Sequence, residues 1–271
     1  MIREMDSMNV PEVLEIKRIV EESESVKTFI FSWDFRQEVR PGQFVMVWDF
    51  RDEKPMSVSL IDPVRSEIGI SIRRVGEFTG RVHGLSEGDL LGIRGPYGRG
   101  FELMGRDLLL VGGGIGMAPL AALADEATAR GMRVDALVAA RTADELLFLD
   151  RLEAAGVNIS TCTDDGSCGF KGFAHERLLT LEGNHDMAAV CGPEPMMFQV
   201  MRILDERSVP VQLSLERYMK CAVGICGQCC LDDTGFRVCA EGPVFWSQEL
   251  SRVREFGRYR RDPAGRRVPW W

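Results

Sequence analysis

Nowhere in the 271 residues does an apolar run approach the roughly 18–20 needed to cross a bilayer. The opening Met1-Ile-Arg-Glu-Met-Asp6 is acidic where a secretory leader is basic and then apolar, so a cytoplasmic protein is expected. A basic excess is also missing. The formal net charge of -8 argues against a nucleic-acid binder, whose surface must release counterions from phosphates. Histidine is scarce, and His83, His175 and His185 lack the i, i+4 pairing and the carboxylate neighbours of a metal site, so all three are read as surface residues. There are no internal repeats and no low-complexity segment.

What is present is globular composition, with 45% hydrophobic and 27% charged residues, 28 Gly and 12 Pro. The length suits two domains. Eight Cys without a leader read as thiols or metal ligands rather than disulfides.

Two rhythms divide the chain. Up to residue 103 the pattern is short strands: Leu14, Ile16 and Val20 at even spacing, Phe29, Phe31 and Trp33 on one face, and Ile68, Ile70 and Ile72 alternating with smaller residues. Further strands are expected over 44–48, 57–61 and 88–93, with one helix near 79–85. Six short strands argue for a small closed β-barrel, since closure removes exposed edges. From 104 to 215 apolar runs alternate with helical spacing: strands near 108–111, 133–140, 157–161, 187–191 and 211–215, helices over 117–130, 142–155, 173–181 and 195–207. Continuous apolar strands between helices are buried on both faces, which predicts an α/β doubly wound sheet.

Residues 216–245 hold five of the eight Cys and almost no apolar period, so something other than a core must order them. Cys221-x4-Cys226-x2-Cys229, followed by Cys239, is the spacing of a ferredoxin-type 2Fe–2S loop, and Gly224 and Gly227 stand where such a loop bends tightly. A structural zinc knot is the alternative, but it prefers paired C-x2-C units and only one exists here. Cys230 is read as a bystander, and Cys162 and Cys168 as small packing residues. Residues 246–271 form an Arg-rich tail ending in Trp270-Trp271, expected to be either disordered or docked on a partner.

Nucleotide chemistry is suggested at three places. Leu108-Leu-Leu-Val-Gly112-Gly113-Gly114-Ile-Gly116 is a strand, a Gly-rich turn and a helix start, where backbone N–H groups can approach a pyrophosphate; it lacks the strict dinucleotide fingerprint and also reads as a tight crossover. Cys191-Gly192-Pro193 ends a strand at the carboxyl edge where open α/β sheets bind ligands, beside a bound nicotinamide. In the barrel, Lys54, Pro55, Met56 and Ser57, with a second segment from Ser71 to Thr79, offer hydroxyls and cations to a flavin and its pyrophosphate.

In this order the segments resemble the ferredoxin-NADP reductase superfamily. More narrowly, residues 219–229 and Val238-Cys-Ala-Glu-Gly-Pro-Val-Phe245 are similar to the electron-transfer subunits of dihydroorotate dehydrogenase B, over residues 10–245. The resemblance implies a β-barrel flavin domain (1–103), a nicotinamide domain (104–215), a small C-terminal iron–sulfur loop domain (216–245) and the tail (246–271). It implies cluster ligands Cys221, Cys226, Cys229 and Cys239, and FAD contacts at Lys54–Ser57, at Ser71, Ile72 and Arg73, and at Phe78 and Thr79. Lys54 stands where the family usually has Arg, replacing a bidentate fork by a point charge, and Phe78 stands where Gly is frequent, leaving it only a backbone contact. NAD is the nicotinamide the family favours. NADP stays open, since Ala139-Ala-Arg141-Thr has no acid for a ribose hydroxyl and has an Arg for a 2′-phosphate.

The resemblance further implies a partner. A catalytic subunit oxidises dihydroorotate on its own FMN within a heterotetramer, and electrons pass through the cluster and FAD to NAD, in pyrimidine (UMP) biosynthesis. No residue of this chain is read as catalytic, and no dihydroorotate pocket is visible. The alternatives are a flavin subunit of a sulfhydrogenase or transhydrogenase complex and, in another class, an iron–sulfur redox sensor.

Overall fold

The computed structural model describes residues 9–270, so the acidic start at Met1–Asp6 and Trp271 lie outside the described residues. The alternating apolar residues of the first region curl into a closed barrel. Its strands are β1 (Glu12–Ser23), β2 (Val26–Ser32), β3 (Phe44–Trp48), β4 (Glu53–Asp62), β5 (Glu67–Arg73) and β6 (Leu90–Tyr97), in the order β1-β2-β5-β4-β3-β6. Phe29, Phe31, Val45, Val47, Ile68 and Ile70 fill the interior, and helix α1 (Glu77–His83) adds Phe78 and Val82 to it. The last strand begins later than its apolar pattern predicts, because Gly88 turns the chain at φ +93. His83 is not a surface residue: it is buried, its Nε2 lies 2.8 Å from the Ile72 carbonyl, and burial lowers its pKa. His185 and His175 are half-buried, the first against Asp135 at 2.7 Å and the second stacked on Phe173.

The second region forms a seven-stranded sheet in the order β10-β9-β8-β7-β11-β12-β13. Its strands are β7 (Asp107–Gly113), β8 (Arg133–Ala140), β9 (Asn158–Thr163), β10 (Phe170–Lys171), β11 (Met187–Cys191), β12 (Val211–Ser214) and β13 (Val244–Trp246). All pairs are parallel except β12 with β13. Helices α2 (Met117–Ala129) and α3 (Leu149–Ala154) cover one face, and α4 (Ala174–Thr180) and α5 (Glu194–Glu206) cover the other. The strand order reverses between β7 and β11, which opens a crevice at their carboxyl ends. The helix expected over 142–155 is broken: a 3₁₀ turn at Ala143–Glu145 is followed by buried Leu146, Leu147 and Phe148, and Phe148 is left-handed at φ 62. Burying three consecutive large side chains overrides helical propensity there.

The region from 216 onwards differs most from expectation. Residues 216–243 leave the sheet after β12 and return to it at β13, and Met219, Ala222, Cys229, Leu231, Val238 and Cys239 are buried in the core shared with α4 and α5. The cysteine segment therefore does have a core, borrowed from its neighbour. The Arg-rich tail is ordered against its own chain rather than disordered. It forms helix α6 (Ser247–Leu250) and the hairpin β14 (Tyr259–Arg261) and β15 (Arg267–Pro269), and Leu250, Val253 and Phe256 enter the same core. Its arginines close on the cysteine segment, with Arg261 donating to Asp232 at 2.8 and 3.0 Å and Arg254 pairing with Asp233 at 3.1 Å. Beneath them Arg217 is enclosed between Glu194 and Glu255, the latter at 2.8 Å, which fixes the tail to the start of α5.

If the tail is a structural element, Phe256→Ala, at a side chain 2% exposed, costs about 3–5 kcal/mol of stability. Chemical denaturation measures it, and an unchanged midpoint would mean that the segment is not packed in solution.

Candidate functional site

The barrel is closed, yet one seam changes partners halfway. β4 pairs with β3 over Glu53–Ser57 and with β5 over Val58–Asp62. β5 in turn pairs with β4 only up to Ile70, so Ser71, Ile72 and Arg73 have β2 alone as a strand partner. The two strands part at this point. Among the described residues, Lys54, Pro55, Met56 and Ser57 on one side and Ser71, Ile72 and Arg73 on the other thus face an opening with strand edges free of ladder partners. Both segments predicted from sequence meet there. Unpaired backbone groups demand a partner, and a flavin with its carbonyls and ring nitrogens fits that demand.

Side chains refine the picture. The Ser71 hydroxyl points into a buried ladder, 2.6 Å from Thr28 Oγ1 and donating to Ser59 Oγ at 2.7 Å, so only the backbone of Ser71 faces the opening's chemistry. Thr79 Oγ1 accepts from the N–H groups of Val75 and Gly76 at 2.9 and 3.0 Å and so caps α1. Phe78 is buried in the barrel, in keeping with a contact through its backbone alone. The Lys54 ammonium lies over the Tyr218 ring, 5.3 Å from its centroid, which directs its charge towards the cysteine segment.

The second half of the site is the carboxyl edge of the sheet. β7 runs into a 3₁₀ turn at Gly114–Gly116 and then α2, and Cys191 on β11 is in register with Gly112. A Cβ on Gly116 would lie 2.4 Å from the Cys191 carbonyl oxygen, and one on Gly113 2.7 Å from Met196 Sδ, so these glycines are required by the packing of the turn itself. Gly114 differs. Its φ is +54, and the nearest atom to an added Cβ is Arg73 Nη1 at 3.7 Å, which leaves its backbone facing open space beside a cation. Burial pushes the Cys191 thiol up to about 12, so it is a neutral side chain rather than a nucleophile. Arg73 also donates to Glu145 at 3.0 Å, bridging the barrel to the loop after β8. Glu145 was not singled out by sequence, because its partners lie far away in the chain.

The cysteine segment is pinned against this seam. Arg94 on β6, held by Glu53 through two 2.6 Å bonds, donates to the carbonyls of Cys221 at 3.1 Å and Lys220 at 3.5 Å. Glu53 opens the free edge of β4, so one ion pair sets the cysteines beside the opening. Arg94 too was invisible in the sequence. The turn bends at Ala222, Gly224 and Gly227, all with positive φ, and the Gly224 carbonyl accepts from Arg237 at 2.7 Å.

The predicted ligands fall into two pairs, Cys221 with Cys226 and Cys229 with Cys239, and among the described residues no three of them gather closely enough to hold a metal ion. Although burial pushes Cys221 up, backbone N–H groups of Cys226, Val223 and Ile225 bring it down to about 7. Cys229 falls to about 6 through its hydrogen bond with Cys239 and through backbone donors, and Cys239 rises in return as the proton holder. N–H groups aimed at sulfur are what anionic thiolates and the sulfides they bind require, so the donor set fits an iron–sulfur cluster. Cys230 stands apart, its thiol raised by burial. Cys162 is likewise buried and raised to about 11, a packing residue.

Comparison with known proteins agrees with this geometry. Residues 216–251 match the model of the iron–sulfur cluster binding domain of dihydroorotate dehydrogenase B. The chain is 98% identical over 266 residues, covering 98% of it and 100% of the relative, to a probable dihydroorotate dehydrogenase B (NAD(+)) electron transfer subunit of Methanothermobacter thermautotrophicus. It is 48% identical to the protein of the same description in Methanocaldococcus jannaschii, over 96% of this chain and 99% of that one. Among solved structures, an NADH-dependent reduced ferredoxin-NADP oxidoreductase studied for flavin-based electron bifurcation superposes with a TM-score of 0.78 at 29% identity, over 90% of this chain and 94% of that one. The ferredoxin reductase of carbazole 1,9a-dioxygenase shares the fold alone, with a TM-score of 0.66 at 18% identity, over 75% and 68%.

Removing the Arg94 side chain leaves Glu53 unpaired and frees the cysteine turn. Arg94→Ala is expected to cost roughly 2 kcal/mol, between the values for exposed and buried pairs. Hydrogen exchange should quicken over residues 219–227 while β7, β8 and β11 keep their protection. Equal loss of protection throughout would contradict a local pin.

Proposed function

The chain belongs to the family of dihydroorotate dehydrogenase B electron transfer subunits, and from that premise we propose that it carries electrons from a dihydroorotate-oxidising catalytic partner to NAD, a step of pyrimidine biosynthesis. Lys54–Ser57 and Ser71–Arg73, with the backbone of Phe78 and Thr79, hold FAD at the opening between β4 and β5. Gly112, Gly113, Gly114 and Gly116, with Cys191 and Gly192, form the nicotinamide site at the carboxyl edge. Cys221, Cys226, Cys229 and Cys239 hold a 2Fe–2S cluster. When bound, the flavin exchanges hydride with a nicotinamide and single electrons with an iron–sulfur centre, the conversion that links a two-electron substrate to a one-electron relay.

The observation that carries this reading is the Arg94–Glu53 pin, which joins the cysteine turn to the free edge of β4. The chain's own residues then have separable tasks. The turn glycines permit close approach of a pyrophosphate, Arg73 supplies a cation beside Gly114, and backbone N–H groups favour the thiolate form of Cys221 and Cys229. Dihydroorotate oxidation is the proposed task of the partner, an FMN-bearing subunit in a heterotetramer. Ile225, 84% exposed, and Val223 beside it supply the apolar contact on the cysteine turn, whereas Met219 is buried and unavailable. No helix among the described residues is long and apolar enough to cross a membrane, and the proposed working site is the cytoplasm.

The purified chain is expected to carry FAD and about two irons, the complement of one such cluster. One zinc and no iron would overturn the ligand assignment. Cys226→Ser should lose iron yet keep flavin reduction by NADH, since the nicotinamide site lies on another element. Mixing with the catalytic subunit should restore dihydroorotate-dependent NAD reduction, and the double substitution Val223→Asp with Ile225→Asp should prevent it. Oxidation of dihydroorotate by this chain alone would refute the division of labour.

A further inference from the structure

In a doubly wound sheet the ribose of the adenosine lies at the end of the strand after the Gly-rich turn, where an acid receives a 2′-hydroxyl and an arginine receives a 2′-phosphate. Here that strand is β8, and its end presents Arg141 with no acid beside it in sequence. By sequence alone the edge suits NADP. Folding reverses this. The 3₁₀ turn Ala143–Glu145 brings Glu145 back onto Arg141, with the Glu145 N–H donating to the Thr142 carbonyl at 3.1 Å. Arg141 Nε then donates to Glu145 Oε2 at 3.0 Å and its Nη2 to Oε1, so the guanidinium fork is filled.

Two more acids arrive from the next strand. The N–H groups of Asp164 and Asp165, at the end of β9, donate to the carbonyls of Ala140 and Arg141 at 3.1 and 3.2 Å, which fixes both residues against the same edge. Asp165 is taken up by Ser167, through its N–H at 3.0 Å and its hydroxyl at 2.6 Å, while among the described residues Asp164 has no such donor. The guanidinium groups at this edge are those of Arg141 and Arg73, and both are bound to Glu145. Lys171, in register with Thr163 and packed on Gly166, adds a third cation on the β10 side. Burial raises the Asp164 pKa, Arg141 works against it, and Asp165 and Glu145 add smaller upward pushes.

We propose that Glu145 sets the preference for NAD over NADP, by occupying the Arg141 fork that a 2′-phosphate would need and by setting a carboxylate where that phosphate would lie. The inference rests on the nicotinamide reading given above and names the residue behind its specificity. Repulsion of a dianionic phosphate discriminates, while a neutral ribose hydroxyl meets acceptors.

The test is flavin reduction in the purified, FAD-loaded chain, with NADH and NADPH compared by kcat/KM. Glu145→Gln keeps the size of the side chain and removes its charge. The expected result is a rise of about ten-fold or more in the NADPH to NADH ratio, equivalent to about 1.4 kcal/mol. Adding Arg141→Ala to that variant should cancel the gain, and Arg141→Ala by itself should bring none. FAD content is measured in each variant, because Arg73 also loses its partner, and a purely structural role for Glu145 would lower activity with both nucleotides while leaving the ratio unchanged. An unchanged ratio in Glu145→Gln, or a gain that survives Arg141→Ala, overturns the inference. A wild-type chain that reduces its flavin with neither nucleotide overturns the nicotinamide reading itself.

Discussion

The pairing of β13 with β12 is the constraint on which the rest of the molecule depends. Residues 216–243 are an excursion between two adjacent strands, closed at its base by the register Ser214 with Val244 and by the Leu215 N–H bonded to the Pro243 carbonyl at 2.9 Å. Closing a loop of this length costs on the order of 3 kcal/mol in chain entropy. The short ladder, the buried side chain of Phe245 and Arg99, which donates to the Val244 carbonyl at 2.7 Å from the barrel side, offset it. With both ends of the excursion fixed to one sheet edge, the cysteines come back beside the barrel as two pairs, Cys221 with Cys226 and Cys229 with Cys239.

A second constraint is the seam between β4 and β5. Unpaired strand edges are a liability that proteins usually cover. This barrel leaves one open where the cysteine turn approaches on one side and the sheet's carboxyl edge on the other. The ion pair of Arg73 with Glu145, and Arg94, which is held by Glu53 and donates to the Cys221 carbonyl, are two of the links from the seam to its neighbours. Each is charged, directional and partly buried, so each fixes orientation more than it adds to stability. An electron path needs its stations held at constant separation, and these links do that.

The tail shows how buried charge can specify a docking mode. Arg217 faces both Glu194 and Glu255, and Glu255 Oε2 is buried with no hydrogen-bond partner among the described residues. Burial raises the Glu194 pKa, which eases the excess of acid over base at the cluster. Two carboxylates around one guanidinium are a costly way to gain stability. They tie the segment after β13 to α5, with Arg254 on Asp233 and the hairpin's Arg261 on Asp232.

Much of this was legible in the sequence, and what was legible is local. Alternation from about residue 10 to 94 implied the barrel, apolar runs between helical spacings implied the parallel sheet, and the spacing of Cys221, Cys226, Cys229 and Cys239 marked the ligand loop, because each of these properties is carried by neighbouring residues. What sequence could not supply is long-range. Arg94 meets Cys221 across 127 positions and Arg73 meets Glu145 across 72, and no periodicity encodes such distances. The same reason explains the misread parts. The tail did not look packed on its own chain because its arginines are counted before their aspartates are found, His83 looked exposed because burial belongs to the barrel around it, and Arg141 looked free for a phosphate until the turn after β8 returned Glu145 to it. Composition and spacing thus determined the domain types and the chemistry of the cysteines, while the charges that orient and select were decided only when distant segments met.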